Sequence, residues 1–142
     1  EISKYRLRAS EILIKYKDYD GAYYLMGYAF ECALKAVICK RLNLSQYPDK
    51  YREKGGSEKE IVNIFKTHNF DILLTLSGLE SDFTLIAPER RAENWSECTK
   101  WNTEVRYNPI GTISEAKAKR TYDALTEKPE GVIAWITKHK KW

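Results

Sequence analysis

The stretch Tyr19–Lys40, YDGAYYLMGYAFECALKAVICK, decides how the chain folds. An Asp-Gly pair leads into about six turns of helix that is apolar on almost every face. Its main polar interruptions are Gly27, Glu31 and Lys35, four residues apart on one stripe. A helix wetted along one narrow stripe only belongs at the centre of a bundle. The charges on that stripe then need a partner or a purpose, because an isolated buried charge is expensive. Glu31 and Lys35 stand in the favourable i,i+4 order, glutamate first. They read either as a structural ion pair or as the lining of a groove or subunit seam. Gly27, one turn earlier, lets another backbone or a ligand come close.

The flanking sequence stays helical. Ile2 to Lys17 carries Ile2, Tyr5, Leu7, Ala9, Ile12, Leu13 and Tyr16 at near-helical spacing. Asp18 or Asp20 can cap the helix that follows. So short a connection implies an antiparallel hairpin. The central helix should end near Leu42 or Asn43. Next, SQYPDKYREKGGSEKE reads as an exposed loop punctuated by Pro48, Gly55 and Gly56. Ser57 with Glu60 suits a capping box for a short helix through Phe65. Thr67 or Asn69 can cap FDILLTLS, which Gly78 ends.

Asp82 or Pro88 opens further helix, and Glu89 to roughly Asn102 reads as one helix carrying Trp95 and Trp101. EVRYNPIGT is a turn region. Ser114 is a good N-cap for the last stretch, where Ala118, Tyr122, Leu125, Val132 and Ile136 stay in phase through Pro129. That stretch is one helix kinked at Pro129, or two with Pro129 in the first turn of the second. No period-two strand pattern and no repeat is visible. The expectation is a single all-α domain over residues 1–142, an antiparallel bundle of four to six helices.

With 142 residues, 43% of them hydrophobic, the chain can bury a real core, which argues against disorder. No apolar run reaches the roughly 18 residues of a membrane span. No cationic start leads into an apolar run and a cleavage site, so no signal peptide is expected. The cysteines Cys32, Cys39 and Cys98 are odd in number and lack disulfide-rich spacing, which suggests a reducing, cytoplasmic setting. Cys32 and Cys39 lie two helical turns apart, roughly 10 Å, too far for a disulfide. They read as small buried hydrophobes. A net charge of +4 is compatible with nucleic acid but points only weakly to it.

Candidate chemistry is sparse. His68 precedes a helix, where it can bond a free helix-terminal group or a loop, or act as acid or base near neutral pH. His139 belongs to a basic tail, KHKKW. Arg106 beside Tyr107 in WNTEVRY can hold a phosphate, with the ring as a stacking surface, or can pin the loop to the bundle. Lys117, Lys119 and Arg120, with Lys138, Lys140 and Lys141, form either a basic binding face or a solvated one. Ligand spacings for zinc and phosphate-cradling glycine loops are missing, so neither metal nor cofactor is expected.

On these residues the chain resembles the HEPN domain family. The family's A-x-x-L-A-x-x-A-x-E-x-A-L-K-A helix is matched at Glu31, Ala33, Leu34, Lys35 and Ala36. Its T-H-D-L-x-x-L-L element is matched at Thr67, His68, Leu73 and Leu74, with Asn69 in place of Asp. The likeness covers Ile2 to Leu79; beyond that only helical character is shared. It implies an antiparallel bundle that pairs as a homodimer. It also implies RNA cleavage, RNA or nucleotide binding, or a role in toxin–antitoxin and phage-defence systems, some members being paired with a minimal nucleotidyltransferase. Catalytic members carry an arginine, four to six residues, then histidine. Here Ile61, Val62 and Asn63 hold those positions before His68, and Val132, Ile133 and Ala134 before His139.

The leading expectation is therefore a non-catalytic, homodimeric module that binds RNA, a nucleotide or a protein, with Glu31, Lys35 and Tyr107 as binding candidates. The first alternative is a metal-independent ribonuclease in which His68 is the acid or base, Arg106 steadies the pentavalent phosphate and Glu31 or Tyr107 assists. The second is a scaffold domain without a ligand.

Overall fold

A computed structural model of the chain describes residues 1–45, 47–48, 63–86 and 88–138. The Gly55–Gly56 loop, the Ser57–Glu60 capping box and the tail with His139, Lys140 and Lys141 lie outside the described residues.

The first two helices form the expected hairpin. α1 spans Ile2–Lys15 and α2 spans Tyr19–Arg41. α1 stops two residues short of Lys17, which adopts a left-handed φ of 63° and turns the chain. Asp18 caps α2, accepting the Gly21 N–H at 2.9 Å. Asp20 does other work: its carboxylate accepts the N–H groups of Gly111 at 2.6 Å and Ile113 at 2.9 Å, tying a distant turn to the start of α2. Ser3 Oγ donates to the Ala29 carbonyl at 2.7 Å and fixes the register of the antiparallel pair.

α2 is the centre of the bundle, in contact with four other helices. Met26, Phe30, Leu34 and Ile38 are fully buried on it, each stabilising the fold by about 1.5–3 kcal/mol. The small residues Ala22, Ala29 and Ala33 let neighbours approach between them. Around it lie α3 (Phe70–Ser77), α4 (Glu80–Ile86), α5 (Glu89–Cys98), a 3-10 segment (Thr103–Tyr107), α6 (Glu115–Thr126) and α7 (Val132–Lys138). Among the described residues there is no strand, so the fold is an all-α bundle.

Two expectations about α2 change. The Gly27–Glu31–Lys35 stripe is not wet: Gly27 and Glu31 are buried and Lys35 is largely covered. The wetter side instead holds Ala36 and Lys40, exposed, beside the half-buried Tyr28 and Cys32. What Gly27 admits is neither a ligand nor a backbone. The Trp101 indole lies where a Cβ on Gly27 would sit only 2.0 Å from its ring carbons.

Past α2, breakers divide the chain more finely than expected. Asn69 caps α3, accepting from the N–H groups of Asp71 at 2.9 Å and Ile72 at 3.1 Å, and Gly78 ends it at a φ of 64°. Pro88 is the N-cap of α5. That helix ends at Cys98, not near Asn102, so Trp95 is helical while Trp101 lies in the turn and folds over α2. The last stretch is two helices. Ser114 caps α6, accepting the Lys117 N–H at 3.2 Å, and Pro129 sits in the turn before α7 rather than in its first turn. Of the five phased residues, Ala118, Leu125, Val132 and Ile136 are buried and Tyr122 is half-buried. No described helix is long and apolar enough to cross a membrane.

Candidate functional site

The Phe30 and Phe70 rings stack with centroids 4.2 Å apart and an interplanar angle of 17°. This stack sets where α3 lands on α2. Phe70 is the first residue of α3, so the segment before it crosses the next residue of α2, Glu31. His68 meets Glu31 there, with Nδ1 2.8 Å from Oε2. A carboxylate can only accept, so Nδ1 carries its hydrogen toward Glu31 and Nε2 takes no part in this contact. The segment holds its own shape, because Thr67 Oγ1 accepts the Asn69 N–H at 3.0 Å.

The other carboxylate oxygen of Glu31 is 2.9 Å from Lys35 Nζ. Lys35 also lies over the Tyr47 ring, 4.5 Å from its centroid. The Glu31 side chain is 5% exposed and His68 53%, so one buried anion fixes an imidazole that stays open to solvent. The sequence-level candidates Glu31, Lys35 and His68 thus form one cluster.

His68 borders a cleft of about 340 Å³, lined also by Asn69, Trp101, Asn102 and Thr103. The side-chain oxygens of Asn69 and Asn102 both accept backbone N–H groups, the latter from Glu104 at 2.9 Å, which leaves their amide N–H groups as donors. The cleft therefore combines amide donors, threonine hydroxyls and an imidazole with the Asp71 carboxylate, over the largely buried rings of Phe70 and Trp101.

Arg106 and Tyr107 are not part of this cluster. Both are exposed on the 3-10 segment, with Arg106 Cζ 4.7 Å from the Tyr107 ring centroid. Among the described residues no hydrogen bond or ion pair joins Arg106 to His68. The Arg106 charge is felt instead at Tyr28. Burial, a hydrogen bond with Tyr24 and the Glu31 charge raise the Tyr28 hydroxyl above its usual range, and the Arg106 guanidinium pulls against them. Tyr28 in turn meets Trp101 edge-on at 5.1 Å.

The basic residues of α6 are engaged internally. Lys117 and Arg120 reach Glu97 at 3.1 and 3.5 Å, and Lys119 pairs with Glu115. Burial alone would push the Glu97 carboxyl up, but hydrogen bonds from Lys100 and Lys117 overcome it and hold it at about 2. Cys98 is buried, and burial pushes its thiol well above the usual range, as suits an inert core residue. Cys32 and Cys39 are only half-buried, because they lie on the wetter side of α2. Among the described residues no group of three His, Cys, Asp or Glu is placed to hold a metal ion.

Sequence reading missed Arg6, Tyr28 and Asn102. Arg6 and Tyr28 looked like filler on their helices, and their proximity is a product of the hairpin register. Asn102 carried a legible signal, since it caps the segment from Thr103. No protein-family model matches the chain, and neither does any curated protein or solved structure.

Proposed function

We propose that this chain is a homodimeric HEPN-like module that binds RNA or a nucleotide at the His68 cleft without cleaving it. The observation that carries this reading is the half-exposed His68 ring fixed by the buried Glu31, opening on a cleft lined by the side-chain amides of Asn69 and Asn102. Those amide groups and the imidazole can meet the edge of an unstacked base or a ribose hydroxyl. The reading stops short of cleavage because, among the described residues, the cluster offers a pentavalent phosphate no free cation. Lys35 is bound to Glu31, and Arg106 lies outside the cluster, on the 3-10 segment. A role in a defence or toxin–antitoxin system, with a nucleotidyltransferase as partner, rests on the family resemblance alone.

The homodimer has support of its own on α1. Ile2, Tyr5, Ile12 and Tyr16 are 63%, 75%, 45% and 82% exposed. With Ala9 between them they fall at alternating spacings of three and four, the seam of a helix pair. Laid antiparallel on a second copy, the stripe sets each isoleucine near a tyrosine and Ala9 against Ala9. An isologous contact requires this kind of self-complementarity.

The test is binding and cleavage of a labelled single-stranded RNA by the wild type and by His68→Ala. The expected result is binding that weakens as salt rises, intact RNA, and at least ten-fold weaker binding by His68→Ala. Light scattering should give twice the chain mass. RNA cut by the wild type and spared by His68→Ala would favour the ribonuclease alternative. The oriented Glu31–His68 pair favours that second reading, because a carboxylate that fixes an imidazole suits it to acid–base work.

A further inference from the structure

Arg6 is an unusual residue in this bundle. It projects from α1 toward α2 and places Cζ 5.6 Å from the Tyr28 ring centroid. Its Nε is buried and has no hydrogen-bond partner. Among the described residues it forms no ion pair. A half-buried guanidinium normally has a carboxylate beside it, because an unmatched charge is poorly solvated there. Glu31, whose charge acts on the same Cys32 thiol as Arg6, already holds Lys35 and His68.

The 3-10 segment brings a second such group to the same place. Trp101, just before it, fills the space over Gly27 and touches the Tyr28 ring, so the segment packs against this side of α2. Arg106 lies exposed on it, with the Tyr107 ring beside it. Glu104 is its nearest acid in sequence and forms no ion pair with it among the described residues. The Arg106 charge acts on the Tyr28 hydroxyl, and the Arg6 charge acts on the Cys32 thiol one turn along α2. Two guanidinium groups that form no ion pair among the described residues are therefore brought to this side of α2: Arg6 lies over the Tyr28 ring and bonds the Cys32 thiol, and Arg106, on the segment packed beside Tyr28, bonds Tyr107 and feels the Glu104 charge. Elsewhere Arg90 and Arg91 are paired with Glu127 and Glu130.

We infer that Arg6 and Arg106 form a phosphate subsite around Tyr28, with the exposed Tyr107 ring beside it as a stacking surface for the attached base. The inference rests on the RNA- or nucleotide-binding reading above and extends it to a second place on the surface. Guanidinium groups suit this task because their planar donors match phosphate oxygens in pairs. An aromatic face next to them accepts any base, so the subsite reads phosphate and stacking, not sequence.

The test is fluorescence anisotropy with a labelled single-stranded ten-nucleotide RNA, with AMP and inorganic phosphate as competitors. Wild type, Arg6→Gln, Arg6→Lys, Arg106→Gln and His68→Ala are compared, with Lys119→Gln as a control outside the subsite. Thermal melts check folding. Arg6→Gln and Arg106→Gln should each weaken RNA binding about ten-fold and lower the salt slope by about 0.7, one phosphate contact on a single strand. Arg6→Lys should fall between Arg6→Gln and wild type, and Lys119→Gln should match wild type. Competition by AMP but not by phosphate supports phosphate and ring acting together; competition by neither supports a site that needs the strand. Because Arg106 is exposed, Arg106→Gln answers even if Arg6→Gln unfolds. If Arg106→Gln and folded Arg6 variants keep wild-type affinity and salt slope while His68→Ala binds weakly, the subsite is wrong and the His68 cleft stands. Loss in the arginine variants with wild-type binding by His68→Ala sinks the cleft and leaves the subsite. A wild type that binds no RNA overturns both.

Discussion

Glu31 and Glu97 are two buried glutamates in one bundle, 4% and 8% exposed, and they are matched in opposite ways. Glu97 on α5 meets Lys100 at 2.7 Å, Lys117 at 3.1 Å and Arg120 at 3.5 Å, and accepts from Thr121 Oγ1 at 3.2 Å. Three cations and a hydroxyl enclose one carboxylate and join α5 to α6. Glu31 has one lysine and one imidazole, and the imidazole faces outward. A carboxylate surrounded by permanent cations is a closed structural joint. One that holds a half-exposed imidazole keeps a donor–acceptor group available at the surface. The difference sets a closed ion cluster against an open one inside a single core.

The comparison breaks most sharply at Glu97. Glu97→Ala strands Lys117, whose side chain is only 23% exposed, and leaves Thr121 without its acceptor. Lys100 and Arg120 are more than half exposed and lose little, because water solvates them. The expected loss is about 3 kcal/mol of unfolding free energy, read by urea denaturation with an unchanged slope.

Acid sharpens the same contrast. The Glu97 carboxyl drops from an ordinary 4.5 to about 2 in the folded chain. A depressed carboxyl contributes stability that is fully present above its unfolded value and is lost as pH falls through its folded value. Wild-type stability should therefore fall between about pH 4.5 and 2, by up to roughly 1.4 kcal/mol per pH unit for each such carboxyl. Glu97→Gln should flatten that fall in part. A remainder belongs to Glu127, held at about 2 by hydrogen bonds from Arg90 and Asn94. If Glu97→Gln leaves the acid profile unchanged, Glu97 is not the closed joint its geometry describes.

How much of this was legible in the sequence differs between the two places. The all-α bundle followed from local signals that survive folding: Asp18, Asn69 and Ser114 cap their helices, and Gly78 ends one. The burial of Ala118, Leu125, Val132 and Ile136 followed from their phase. The Glu31–Lys35 pair was legible because i,i+4 neighbours meet on any helix. The Glu31–His68 contact was not, since the residues lie 37 positions apart and meet through the packing of α3 on α2, where Phe30 stacks on Phe70. Glu97 was missed for the same reason: Lys117 and Arg120 looked solvated until α5 was laid beside α6. The error at Gly27 came from counting polarity on α2 alone. A glycine stripe reads as wet until a distant indole fills it.

The smallest stability change is expected at His68, and it decides what Glu31 is for. The ring is 53% exposed, so losing its bond removes a contact that water partly replaces, and Lys35 still neutralises the carboxylate. His68→Ala should lower the unfolding free energy by less than about 1 kcal/mol, a change of a few degrees in a thermal melt. A loss near the 3 kcal/mol expected for Glu97→Ala would mean that the imidazole is as structural as the cations around Glu97. A near-neutral melt together with weakened RNA binding would separate the two carboxylates in function. The bundle does not need the His68 ring in order to fold, so its fixed orientation and exposure then have to be explained by what it binds.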